Sequence, residues 1–148
     1  MADIGRLIED ARICHLSGDV AAARDAFLSV LQSDPNNATA LHHLGLIAFQ
    51  SRQESEALSY LKSAAVADPG RDDVMADMGV VYRHLGDLTR AETYLEKACR
   101  LAPESAAHLY NLGLVLGDQN KLTRAESAYR AAARLDPYHA GARNNGQE

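Results

Sequence analysis

An all-α solenoid of four helix-turn-helix repeats is the fold class this sequence predicts, and three observations predict it. The four prolines, Pro35, Pro69, Pro103 and Pro137, each stand 34 residues after the last, and the chain has no others. A fixed period of that length is the signature of a helical repeat array. Setting the prolines in register aligns small residues in columns: Gly45, Gly79 and Gly113, with Ala11 in the first unit, and then Ala23, Ala57, Ala91 and Ala125. Apolar residues recur at three- and four-residue steps, as in Leu41, Leu44, Ile47 and Ala48, which is the period of a helix and not of a strand.

The first unit runs over 4–37. Asp3 precedes it as a helix N-cap, Ser17-Gly18-Asp19 forms its turn, and its second helix carries Ala23, Phe27 and Val30. The second, 38–71, turns at Ser51-Arg52-Gln53 and repeats the columns as Ala57, Leu61 and Ala64. The third, 72–105, turns at His84-Leu85-Gly86-Asp87 and carries Ala91, Leu95 and Ala98. The fourth, 106–139, turns at Asp118-Gln119-Asn120 and carries Ala125, Tyr129 and Ala132. Each second helix should stop near Asp34, Asp68, Ala102 or Asp136, because a residue before proline is pushed out of the helical region. Gly45, Gly79 and Gly113 should face Ala57, Ala91 and Ala125 and let paired axes approach to the short end of the usual range of about 8–10 Å.

The run Met75-x2-Met78-Gly79-x2-Tyr82, with Ala91-x3-Leu95 and Pro103, resembles the tetratricopeptide (TPR) pattern, and Leu41-x2-Leu44-Gly45 and Leu109-x2-Leu112-Gly113 repeat it. The first unit is degenerate, with Leu7, Asp10, Ala11 and Cys14 in those places. The resemblance covers residues 4–139 and implies a right-handed superhelix with a concave inner surface.

Composition narrows the function. Net charge is −5, so the chain has no basic face for nucleic acid, and no stretch approaches the ~20 apolar residues of a membrane span. The amino terminus lacks the apolar core of a secretory signal, which points to the cytoplasm. Cys14 and Cys99 fall in different units and are expected as buried small apolar residues.

Chemistry is hard to find in the sequence. Neighbouring helix residues point about 100° apart, so His42 and His43 cannot chelate a metal from one face. His15, His84, His108 and His139 share no ligand pattern, and solvated or groove-lining histidines are expected. Asp72 and Asp73 complement the positive end of the fifth helix. No catalytic, metal or cofactor site is expected, and the chain reads as a protein that is not an enzyme.

The TPR resemblance implies that the first helix of each unit lines the concave surface through its second, fifth, sixth, ninth, twelfth and thirteenth positions. From the second unit these include His42, Leu46 and Phe49, from the third Asp73, Asp77, Val80 and Arg83, and from the fourth Tyr110, Asn111 and Leu114. Leu46, Val80 and Leu114 form an apolar ladder at the ninth position, widened by Phe49 and Tyr110, which suits a protein or peptide segment with apolar anchors. TPR members that hold the carboxylate tails of chaperones place Lys, Asn and Arg at chosen groove positions. Here only Asn111 matches, and Glu9 and Asp77 would repel an acidic tail.

Residues 140–148 read as the opening of a truncated fifth unit or a tail, leaving the face of the eighth helix with Ala128, Ala132 and Leu135 poorly covered. Either the chain is part of a longer protein or that end is buried by homo-oligomerisation. The expected function is a protein–protein interaction adaptor or scaffold. The alternative is a regulatory or substrate-recruiting module of a larger bacterial enzyme such as a glycosyltransferase.

Overall fold

A computed structural model describes residues 3–138 of the chain. The last residue assigned to the fourth unit, 139, and the fifth-unit opening expected over 140–148 lie outside the described residues. Among the described residues the secondary structure is helical throughout, with eight helices and no strand. The chain divides into two compact units, Met1–Pro69 and Gly70–Glu148.

Unit one holds α1 (Ile4–Leu16), α2 (Val20–Ser33), α3 (Ala38–Gln50) and α4 (Glu54–Ala67). Asp3, Asp19 and Asn37 accept hydrogen bonds from the backbone N–H groups of Arg6, Ala22 and Ala40, satisfying donors that a helix start leaves open. The start of α4 instead carries Glu54 and Glu56, whose charges suit the positive helix end. Ala40, Leu44 and Ile47 of α3 share one buried cluster with Ala11 of α1 and Ala23, Phe27 and Val30 of α2.

Unit two holds α5 (Asp72–His84), α6 (Leu88–Leu101), α7 (Ala106–Asp118) and α8 (Leu122–Leu135). Asp87 and Ser105 cap α6 and α7 through the N–H groups of Arg90 and His108. Ala106 and Ala132 pack with Leu109 and Tyr110, while Leu116, Ala125 and Ala128 pack with Leu112 and Tyr129.

Two local devices repeat through both units. Asp34, Asp68, Ala102 and Asp136 each end a helix with ψ between 77° and 90°, the extended conformation imposed by the proline that follows. Gly18, Arg52, Gly86 and Asn120, again one period apart, all have positive φ between 61° and 89° inside the helical hairpins. Glycine meets that requirement without steric cost and asparagine tolerates it, but arginine does so under strain.

Gly45 and Gly79 face Ala57 and Ala91 as expected, and the tightest contact is with the large residue one turn beyond. A Cβ at Gly45 would stand 2.8 Å from Leu61 and one at Gly79 2.6 Å from Leu95, with the carbonyls of Ala57 and Ala91 next at 3.3 and 3.2 Å. At Gly113 the obstacle is the Tyr129 ring, 2.6 Å away. The glycines make room for the large residue one turn beyond each alanine, while Ala57, Ala91 and Ala125 are themselves buried.

Candidate functional site

The candidate site residues lie on the first helices of the hairpins, α3, α5 and α7. The helical period places the sixth, ninth and thirteenth positions along one stripe of each helix with the fifth and twelfth beside it. Leu46, Val80 and Leu114, all at the ninth position, are half-buried, whereas Ile47, Val81 and Val115, one residue further along, are fully buried. A step of one residue thus turns an apolar side chain from core to accessible surface.

In unit one, Leu46 and Phe49 are half-buried, but His42 is only 6 % exposed and offers little surface to a partner. His43 lies flat against Phe27, their centroids 4.7 Å apart, and meets His15 edge-on at 6.2 Å. The Nε2 of His15 stands 3.0 Å from Oε1 of Gln50, within hydrogen-bond distance.

In unit two, Asp73 accepts from the backbone N–H of Val74 at 2.9 Å and pairs with Arg71 at 3.6 Å. Asp77, Val80, Tyr110, Asn111 and Leu114 are all half-buried along α5 and α7. Arg83 donates through Nε to Asp118 at 2.6 Å, and the pair borders a shallow recess of about 240 Å³ with His84. His15 to Gln50 and Arg83 to Asp118 are the same bond in the repeat frame, from the twelfth position of one first helix to the thirteenth of the next.

Tyr129, where the other hairpins have Phe27, Leu61 and Leu95, fits beneath Gly113 and leans against Tyr110 with centroids 5.7 Å apart. Its hydroxyl reaches within 4.0 Å of where a side chain on Gly117 would begin. Burial, then the neighbouring Tyr110, pushes its phenol above the ordinary value. In its column Tyr129 stands out as the one residue with a hydroxyl, but nothing in the sequence pairs it with Gly113 or Gly117.

The structure corrects three further expectations. His108 is neither solvated nor groove-lining: it is buried, and its Nε2 donates to the Asp72 carboxylate at 2.7 Å. Asp72 therefore has a partner on α7 in addition to its place at the start of α5, and the hydrogen bond from His108 holds its carboxyl below the ordinary value despite the opposing effect of burial. Cys14 and Cys99 are half-buried, not fully buried; desolvation pushes the Cys99 thiol up to about 11, so at neutral pH it stays protonated and unreactive. On α8, Ala128 and Ala132 are buried against α7, so the face is more covered than expected, although Leu135 is 45 % exposed and Ala128 borders an open recess.

None of the helices among the described residues is long and apolar enough to cross a membrane. Solved structures similar to this chain include MamA, with 25 % identity, a TM-score of 0.82, and coverage of 92 % of this chain and 80 % of that one. YrrB, described as a TPR protein with an unusual peptide-binding site, has 24 % identity and a TM-score of 0.81 over 97 % of this chain and 74 % of its own. A variant O-GlcNAc transferase from Thermobaculum terrenum has 29 % identity and a TM-score of 0.83, over 90 % of this chain but 27 % of the transferase. Comparison with the curated proteins found no match. The family model for the tetratricopeptide repeat matches residues 17–72 and 77–140. With the 34-residue proline period, the helical hairpins and that match in hand, the chain belongs to the tetratricopeptide repeat family.

Proposed function

We propose that this protein is an interaction module that holds a partner protein segment by apolar anchors on the first-helix faces, α3 in unit one and α5 with α7 in unit two. The carrying observation is the half-buried state of Leu46, Val80 and Leu114 beside the fully buried Ile47, Val81 and Val115. The core does not need the first three, and accessible apolar side chains at repeated positions are the usual mark of a recognition surface. Phe49 and Tyr110 extend this surface, and Asp73, Asp77, Arg83 and Asn111 give it polar edges that select among apolar segments. The peptide-binding site ascribed to YrrB supports the same reading by analogy of fold.

The test is selection of a displayed peptide library on the wild-type protein, followed by affinity measurement of the recovered peptides on a Leu46→Asp/Leu114→Asp double variant. Peptides with apolar anchors and a loss of tenfold or more on the variant are expected, with helicity unchanged by circular dichroism. Equal affinity for the two proteins would remove the ladder from the binding surface.

A second reading, that this array is the recruiting module of a larger enzyme, is favoured by the likeness to the O-GlcNAc transferase, of which the chain covers 27 %. The reading frame beyond Glu148 decides it: a catalytic domain there supports the reading, and a stop codon ends it.

A further inference from the structure

In unit one, α3 fills a groove between α1 and α2. Ile47 lies in the buried cluster there, and Leu7, Cys14 and Ala26 pack against it. Three repeat periods carry those three positions to Leu109, Leu116 and Ala128, which line, with Leu112 and Ala131, an open apolar recess of about 340 Å³ between α7 and α8. The groove that α3 fills in unit one is thus present again at α7 and α8, and among the described residues no helix follows to fill it.

The matching ridge lies at the other end of the sequence. One period before Ile47 stands Ile13, at the position where Ile47, Val81 and Val115 are 2 % exposed or less; Ile13 is 54 % exposed, and Leu16 beside it 85 %. Arg6 takes the place of Ala40, and its long stem can carry the guanidinium out to water. The chain therefore bears both halves of one contact, a ridge on α1 and a groove on α7 and α8.

We propose that this face binds a second copy of the chain head to tail, α1 of one molecule seated in the α7–α8 recess of the next, with Ile13 standing there as Ile47 stands between α1 and α2. The occupant is a second copy because the ridge that fits is the one the repeat frame defines, and α1 presents it exposed. The chain's own segment 139–148 carries no Leu, Ile, Val, Phe or Met to fill an apolar recess. Such a contact joins two different surfaces, so each copy can take up another through its ridge and another through its groove.

Sedimentation velocity of the full chain across a concentration series tests it. The weight-average mass is expected to climb past twice the 16.0 kDa monomer. Ile13→Glu, which spoils the ridge, and Ala131→Glu, which spoils the groove, should each hold the protein at monomer mass. An equimolar mixture of the two variants retains one intact ridge and one intact groove and should stop at the dimer. A wild-type protein that stays monomeric throughout, association that survives Ile13→Glu, or a mixture that stays monomeric overturns the proposal. Association that appears only after residues 139–148 are removed assigns the recess to the chain's own tail and overturns it equally.

Discussion

The imidazole of His108 donates to the carboxylate of Asp72 across 2.7 Å, joining α7 to the first residue of α5. In the repeat frame His108 shares its position with Ala40 and Val74, both fully buried, so a polar pair occupies a position that is apolar in the two preceding units. Replacing such a pair by a fitting apolar residue is often neutral, whereas removing one partner is not. His108→Val leaves Asp72, whose side chain is 41 % exposed, to be hydrated, and should cost less than about 1 kcal/mol, whereas Asp72→Ala leaves the buried His108 ring without its acceptor and should cost more. Urea melts of both variants at neutral pH check the order; the reverse order removes the pair from the stacking contact.

The same pair makes stability sensitive to acid. Because His108 lowers the Asp72 carboxyl below its ordinary 3.8, the contribution is complete above that value and fades as pH falls toward the lowered one. His108→Val should flatten the melting temperature against pH in that acid range. An unchanged slope rules out the pair as a source of it.

Glu92 carries the stronger acid dependence. It accepts from Lys121 and Gln119, each at 2.8 Å, and from Arg124 at 3.3 Å, tying α6 to the start of α8. The hydrogen bond from Lys121 is the leading cause that brings its carboxyl down from 4.5 to about 2. The stabilisation is therefore present above pH 4.5 and lost as pH falls through about 2. Glu92→Gln should cost about 1–2 kcal/mol at neutral pH, and its deficit should shrink as the pH approaches the lowered value. A deficit that is constant from neutral to strongly acid pH contradicts the assignment.

Close packing of the glycine column gives a further expectation. Gly79→Ala puts a methyl 2.6 Å from Leu95 and should cost about 1–3 kcal/mol. In a Leu95→Ala background the clash is relieved, so the added cost of Gly79→Ala should fall sharply. Strictly additive losses would place the strain elsewhere.

Arg52 offers a gain instead of a loss. Its φ of 61° is one that side chains resist by roughly 1–2 kcal/mol, and the same position holds glycine in two other hairpins. Arg52→Gly should stabilise by about 1 kcal/mol, raising Tm by about 2–4 °C. A lower Tm for this variant would falsify the strain argument.

The sequence alone determined the helical hairpins, their period and where they end, because those depend on local rules: proline bars the residue before it from the helix, and apolar three- and four-residue spacing selects one helix face. The turns were legible for the same reason, although the shared left-handed residue at Arg52 and Asn120 was hidden under side chains that only tolerate it. What each side chain on that frame touches was decided by tertiary structure. Spacing made Asp72 a helix-end charge and His108 a surface residue; stacking of α7 on α5 brought them together. The same holds for Tyr129, whose place under Gly113, 16 residues away in sequence, depends on α7 and α8 meeting in space. Periodicity assigns a residue to a face of its own helix, but only the packing of neighbouring helices fixes whether that face is core, surface or the seat of a polar pair.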